Sequence, residues 1–349
     1  NNRRTGRRGT SAITITDVAR ESGFSAMTVS RVVNDDPRVR ANTRNAILRA
    51  IDKLGYAPNQ AARMLAGSGP IRIGLPFSNP SAAYMSEFFM GALDQAQIGH
   101  CQLVVVKCEI GEHEDEVVRT LVSSGIDGLL LPPPLSDSAA IADAMADFAL
   151  PAVAVAGGSA QDSISTVQID DFAAARTMTS HLLALGHRRI GFITGDTNQA
   201  TTTRRLAGYH DALTQADLAF DAALVAAGTF TYRSGLSAAN DLLNSASPPT
   251  AIFASNDDMA AAAIAAAHQR HLDVPRDITV CGFDDTMFAR SIWPELTTIH
   301  QPIAAMARAA VAKLIAEVGA SRRGETRLPE HTVLDYLFVQ RDSDGPPVS

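Results

Sequence analysis

The chain has 349 residues, 46% of them hydrophobic and only 5% aromatic, which is more than one ordinary domain holds and enough apolar matter for several cores. Its net charge of −7 hides an asymmetry: residues 1–67 carry 12 Lys and Arg against 5 Asp and Glu, while the remainder carries 18 against 32. A basic head on an acidic body points to nucleic acid for the head alone, and three scattered cysteines with no run of about 18 apolar residues exclude a disulfide framework, a zinc site and a membrane span.

In chain order, residues 1–12 (NNRRTGRRGTSA) read as a disordered basic arm without the apolar segment of a signal peptide. A helix-turn-helix domain is expected over 13–57. Thr16 is expected to cap a helix from Asp17 to Ser22, with Val18 and Ala19 inward, and Gly23 to allow the turn. Ser25 then caps a helix to about Asn34, with Val29, Val32 and Val33 on its packed side and Ala26, Met27, Ser30 and Arg31 outside. Such a second helix is shaped for the major groove. Pro37 breaks the next loop. Thr43 or Asn42 caps a third helix with a stripe of Ala46, Ile47, Ala50, Ile51 and Leu54, ended by Gly55.

Residues 58–70 read as a hinge. Pro58 starts a short helix from Asn59 to Ala66, too short to be stable alone, and glycines follow. From Ile71 the pattern becomes alternating strands and Ala-rich helices. IRIGLPF, LVVV, GLLL, AVAV, STVQI, RIGFI, TAIFA and TVCGF each read as a buried strand. This rhythm implies parallel sheets covered by helices, in two similar lobes with a crossing near Asp170. Strands continue through HTVLDYLFVQR, and residues 342–349 read as a disordered tail. Polar residues stand where strands end: Asp170 after STVQI, Arg205 opening a helix after RIGFITG, Asn256 and Asp257 after TAIFAS, Asp284 and Asp285 after TVCGF. Ligands in such sheets bind at the strand C-termini.

The segments DVA, MTVSRVVN and LGYAPNQAARML in the head, and HLLALGHRRIGFITG, RRLAGY, SNDDMA, CGFDD and LTTIHQP in the body, resemble the LacI/GalR family of bacterial transcription regulators from Ile15 to Arg341. The resemblance implies an all-α helix-turn-helix DNA-binding head. It also implies an α/β periplasmic-binding-protein-like core, 71–341, of two doubly wound parallel-sheet lobes that pairs as a homodimer. The first lobe would take about 71–169 and 300–330, the second about 170–299 and 331–341.

By the same resemblance Ala26, Met27 and Arg31 reach base edges. Arg31 can bond a guanine in two-pronged fashion, whereas Ala26 and Met27 read a thymine methyl or shape. Thr14, Thr28, Ser30 and Asn34 match phosphate contacts, and Ser25 starts the reading helix. In the hinge, Leu65 matches a wedge into a base step, Ala62 the groove floor and Arg63 a narrowed minor groove, with Asn59 opening the segment. In the core, Arg205, Asn256 and Asp284 match ligand-binding positions, Phe230 an aromatic that stacks on the ligand, Tyr84 the first lobe's side and Gln301 the crossover. Asp170 is either pocket or interlobe structure. Where sugar-responsive relatives can carry an acid, this chain has Ala156, followed by Gly157 and Gly158.

No GxGxxG follows a strand and no GxxxxGK[ST], HExxH or GxSxG occurs, so no nucleotide cofactor, metal or catalytic group is expected; His268 and His271 lack a third ligand. The expectation is a cytoplasmic, nucleoid-associated repressor of carbohydrate-utilisation genes, released from a pseudopalindromic double-stranded operator by a small sugar effector. The alternatives are a purine-type corepressor, which reverses the sign, a sugar-binding protein without a DNA role, and an enzyme acting on a sugar.

Overall fold

A computed structural model describes residues 13–33, 38–56, 69–78, 80–157, 164–325 and 327–348. It divides into two compact units, residues 1–70 and 71–349. The expected basic arm, Asn34, the loop at Pro37, and the hinge segment with Asn59, Ala62, Arg63 and Leu65 lie outside the described residues, as does Gly158.

The first unit contains α1 (Ile15–Ser22), α2 (Ala26–Val33) and α3 (Ala41–Leu54). Val18, Val29, Val32, Ile47 and Ala50 form its buried centre, from all three helices. Helix α1 starts earlier than expected. Thr14, not Thr16, is its cap residue, and the Asp17 carboxylate reaches back to it in a box: the Thr14 N–H and hydroxyl both donate to Asp17 Oδ2, at 2.9 and 2.7 Å. Gly23 and Gly55 end α1 and α3 with φ of 77° and 63°. Helix α3 starts at Ala41 after Arg40, without a side-chain cap, so neither Asn42 nor Thr43 has the expected role.

In the second unit the elements run β1 (Arg72–Phe77), α4 (Ala82–Ile98), β2 (Gln102–Lys107), α5 (Glu114–Ser123), β3 (Gly128–Leu131), α6 (Ala139–Ala146), β4 (Ala152–Val155), β5 (Ser165–Ile169), α7 (Asp171–Ala184), β6 (Ile190–Ile193), α8 (Ala200–Gln215), β7 (Val225–Ala226), α9 (Tyr232–Leu243), β8 (Ala251–Ala254), α10 (Asp257–His268), β9 (Thr279–Cys281), α11 (Met287–Ser291), β10 (Thr298–His300), α12 (Ile303–Arg322), β11 (His331–Leu334) and β12 (Leu337–Val339). One sheet has the order β11-β5-β4-β3-β1-β2 and the other β7-β6-β8-β9, with every pairing in both parallel. Strands β10 and β12 form a separate antiparallel pair.

Each sheet reverses its winding once, between β1 and β3 and between β6 and β8, and the loops that leave the strand C-termini open a crevice there. Strands β3, β4, β6, β8 and β9 are wholly buried, as continuous apolar runs covered on both faces should be. Helices α7 and α8 approach closely because Gly208 has no side chain: a Cβ there would stand 2.2 Å from the Phe172 carbonyl oxygen.

Four features depart from the sequence reading. Strand β2 is not buried; it pairs only with β1 at the sheet edge, and Gln102, Val105 and Lys107 are exposed. Strands β7 and β10 are too short to carry a periodic signal. Strand β11 belongs to the first sheet, where it pairs with β5, so the expected placing of 331–341 in the second lobe fails for its first residues. The tail is not loose: Ser343 is fully buried, with its hydroxyl donating to the Val280 carbonyl at 2.6 Å, and the Gly345 carbonyl accepts from Thr279.

Gly208→Ala should lower the stability of the core by roughly 1–3 kcal/mol, the ordinary cost of overpacking. Chemical denaturation followed by circular dichroism reads it, and an unchanged midpoint would show that α7 and α8 separate freely.

Candidate functional site

The first candidate surface is the outer side of α2. Burial of Val29 and Val32 turns Ala26, Met27 and Arg31 outward, with Met27 68% exposed. Met27 is a large apolar group in water with no covering neighbour among the described residues, which suits a thymine methyl or another apolar contact. The Ser25 hydroxyl accepts from the Thr28 N–H at 3.2 Å and lies 2.9 Å from the Thr28 hydroxyl, so Ser25 starts the helix as expected. Thr28 and Ser30 are half-buried. Thr14 has its N–H and hydroxyl engaged by Asp17, so a phosphate contact there requires that box to open.

The second is a cleft in the core, lined by Ser81, Tyr84, Pro133, Ala156, Gln199, Thr201, Arg205, Phe230, Asn256, Asp284 and Gln301. These residues follow the C-terminal ends of β1, β3, β4, β6, β7, β8, β9 and β10. Of the positions named from the sequence, Tyr84, Arg205, Phe230, Asn256, Asp284 and Gln301 meet here.

Asp170 does not. It is exposed, and its carboxylate accepts the Ala173 N–H at 2.9 Å as the cap of α7. The neighbouring Asp171 turns inward instead. It is 1% exposed, and the Arg205 Nε donates to its Oδ1 at 2.8 Å. A pair of acids at a helix start gives one to the cap and one to the interior, and the sequence alone did not say which. Ser81, Pro133, Gln199 and Thr201 were also missed, although Ser81 carries the signature of a helix cap, three residues before Tyr84.

Arg205 is held from several sides. Besides Asp171, its Nη1 donates to the Ser255 carbonyl at 2.5 Å and stands 4.0 Å from Asp284, and its plane lies 3.6 Å from the Phe283 ring centre. Asp284 has a φ of 115°, fixed by its N–H to the Ile299 carbonyl and its carbonyl to the Gln301 N–H. That backbone aims its Oδ1 at the Gln301 amide, 2.6 Å away. Burial pushes the Asp284 carboxyl well above the usual range, and the Arg205 guanidinium opposes this.

Asn256 lines the cleft with its amide engaged: Oδ1 accepts the Met259 N–H at 2.9 Å, capping α10, and Nδ2 donates to the Phe230 carbonyl at 3.0 Å. It thereby fixes Phe230, which has a φ of 59° and whose ring lies where a Cβ on Gly195 would stand 1.9 Å away. Ala156 also has a left-handed φ, 56°, and brings no polar group to the cleft. The Tyr84 hydroxyl and Gln301 Oε1 are buried and have no hydrogen-bond partner among the described residues. Burial raises the Tyr84 phenol far above its ordinary value.

Two buried acids brace the cleft from behind. Asp258 accepts the Ser81 hydroxyl at 2.8 Å, which joins the start of α4 in the first lobe to the start of α10 in the second. Asp257 accepts from the Thr286 N–H at 2.7 Å, the Thr286 hydroxyl and the Thr298 hydroxyl, and burial pushes its carboxyl up to about 7.

A reading helix on a three-helix head, joined in one chain to a two-lobed core with a polar cleft, defines a ligand-responsive DNA-binding regulator. Comparison with known proteins agrees. Residues 14–59 match the model of bacterial regulatory proteins of the lacI family, and residues 179–343 match a periplasmic binding protein-like domain. The transcriptional regulator CelR of Thermobifida fusca is 32% identical over 343 residues, covering 95% of this chain and 98% of its own. The structure of a lac repressor dimer bound to operator and an anti-inducer superposes with a TM-score of 0.80 at 30% identity, over 95% of this chain and 99% of that one. A CelR–cellobiose complex superposes at 0.73 with 29% identity and the same coverage. The chain belongs to the LacI family of transcriptional regulators.

Ser81→Ala removes the bridge to Asp258 and leaves a buried carboxylate short of a partner, so core stability should fall by about 1–3 kcal/mol. Thermal unfolding measures this, and no loss would show that the bridge does not hold the lobes. Asp257 gives a pH dependence. Its folded value lies above the ordinary 3.8, so folding favours the neutral form, and this contribution is lost as pH rises through about 7. Asp171, Asp258 and Asp284 are shifted in the same direction. The unfolding midpoint should therefore fall as pH rises from about 4 to about 7, the interval between the unfolded and folded values of Asp257. Asp257→Asn should flatten part of that fall, and an equal slope in both proteins contradicts the assignment to Asp257.

Proposed function

We propose that this regulator represses carbohydrate-utilisation genes and that a mono- or disaccharide in the core cleft releases it from a pseudopalindromic operator. The observation that carries this reading is the pairing of Phe230 with unsatisfied buried polar atoms, Tyr84 Oη and Gln301 Oε1, in one cleft. A sugar presents an apolar ring face and a rim of hydroxyls, and this cleft has a partner for each. The CelR–cellobiose complex, a neighbour of similar fold, supports the same class of ligand.

In this reading Arg31, Met27 and Ala26 read bases, and Thr14, Ser25, Thr28, Ser30 and Asn34 set the head on phosphates. Asn59, Ala62, Arg63 and Leu65 are assigned to the minor groove. The cleft residues are Tyr84, Arg205, Phe230, Asp284 and Gln301, with Asn256 holding Phe230 in place. The chain acts in the cytoplasm as a homodimer. In support, Met90, Leu93 and Ile98 on α4 and Val105 on the adjacent edge strand β2 are large apolar groups left exposed in the single chain. A ligand that binds the two forms of the core unequally changes operator affinity through a coupling of about 1–3 kcal/mol, or roughly 5- to 150-fold.

Fragments selected from genomic DNA supply the operator, and gel shifts with and without sugars test the response. Arg31→Ala should cost roughly 1–3 kcal/mol of discrimination against random DNA. Asp284→Ala should keep operator binding and lose the sugar response. A normal response in Asp284→Ala overturns the cleft assignment, and a ligand that tightens binding makes the chain a corepressor-dependent regulator instead.

A further inference from the structure

The charges and hydrogen-bonding groups of the cleft narrow the ligand beyond a sugar. We infer that the cleft accepts uncharged ligands and rejects phosphorylated or carboxylated ones, with Asp171 and Asp284 as the residues that set this selectivity. The inference rests on the cleft being the effector site, as proposed above.

Arg205 is the only cation among the residues that line the cleft. It is 4% exposed and already faces two carboxylates, Asp171 at 2.8 Å and Asp284 at 4.0 Å. Its Nη1 is engaged by the Ser255 carbonyl, and the Phe283 ring covers one of its faces. Arg204, next in the chain, donates to Gln168 Oε1 at 2.9 Å and to the Gly157 carbonyl at 3.3 Å. The stretches of the core outside the described residues are Asn79, 158–163, Thr326 and Ser349, and none contains a Lys or Arg. Arg204 is not among the residues that line the cleft, so an anion entering it meets one cation, Arg205, which already has carboxylates beside it. Removing a charge from water without a full partner is costly.

The free hydrogen-bonding capacity agrees. The Gln301 amide nitrogen is occupied by Asp284, which leaves Gln301 Oε1 as an acceptor without a donor. Asp284 Oδ1 is taken by the Gln301 amide, and the Tyr84 hydroxyl can give one proton and take one. Both amide atoms of Asn256 are engaged elsewhere. At Gln301 Oε1 the cleft thus asks its ligand for an O–H or N–H donor, while Gln199 and Thr201 bring donors of their own. A hydroxyl-rich neutral ring can answer both kinds of group; an ionised phosphate or carboxylate supplies acceptors alone and would set oxygen against oxygen at Gln301.

The test is isothermal titration of the full chain with a matched panel: glucose, maltose, cellobiose and adenine as neutral probes, and glucose 6-phosphate, gluconate, maltose 6′-phosphate, cellobionate and AMP as anionic ones. At least one neutral compound should bind, with its anionic counterpart at least about 100-fold weaker. Gln301→Lys, which puts a cation at the acceptor position, should shrink that gap. Circular dichroism checks that the variant folds, and the wild-type panel decides the matter if it does not. Anionic probes that bind as tightly as neutral ones overturn the inference while leaving the cleft as the effector site. Binding of adenine alone overturns the sugar reading and upholds this one. Silence across the whole panel overturns both.

Discussion

The core is organised around a buried guanidinium. Arg205 is carried on the first turns of α8, and its Nε–H to Asp171 ties that helix to the start of α7 while Nη1 ties it to the end of β8. A charge this deep persists only when its partners are close and its donors are satisfied. Asp171, the Ser255 carbonyl, Asp284 and the Phe283 ring meet that demand together, from the segments that follow three different strands, β5, β8 and β9. Removing one partner would leave the others around an uncompensated ion, so the loops are not independent. That interdependence is what makes the cleft a single element able to answer to a ligand.

Residues scattered through the sequence converge because both sheets are parallel. Each strand of a parallel sheet delivers its C-terminal loop to one edge, so Tyr84, Ala156, Arg205, Phe230, Asn256 and Asp284 meet although two hundred positions separate the first from the last, and Gln301 joins them from the end of β10. The cleft walls hold their geometry through local backbone constraint. Phe230, Ala156 and Asp284 all have positive φ, a conformation that costs energy and persists where surrounding bonds over-determine it. For Phe230 those bonds are the Asn256 amide and the space left by Gly195. For Asp284 they are the backbone bonds to Ile299 and Gln301.

Much of this was legible in the sequence, for physical reasons that also explain the misses. Buried parallel strands are continuous apolar runs, so RIGFI and TAIFA announced themselves, whereas Val225–Ala226 offers two residues and no pattern. LVVV looked buried because composition cannot tell a central strand from an edge one. The polar residues after strands were sound pointers to the cleft at Arg205, Asn256 and Asp284. The choice of Asp170 over Asp171 turned on which carboxylate bends back to the Ala173 N–H, a matter of one rotation about a helix start. The polar, Pro-containing end DSDGPPVS suggested disorder, but Asp342 and Ser343 have specific partners in Glu295, Thr297 and Val280 that no local pattern shows.

That last stretch closes the second lobe much as a clasp closes a case. The Asp344 carboxylate takes His181 Nε2 at 2.7 Å and also bonds the Thr297 hydroxyl, while the Gly345 carbonyl meets His187 and Thr279. Four residues, Asp342 to Gly345, thus stitch α7, the turn before β6, β9 and the entry to β10. A purification tag or reporter fused directly after Arg341 would displace these contacts, so a handle for immobilising the protein belongs beyond the clasp, on a spacer after residue 349.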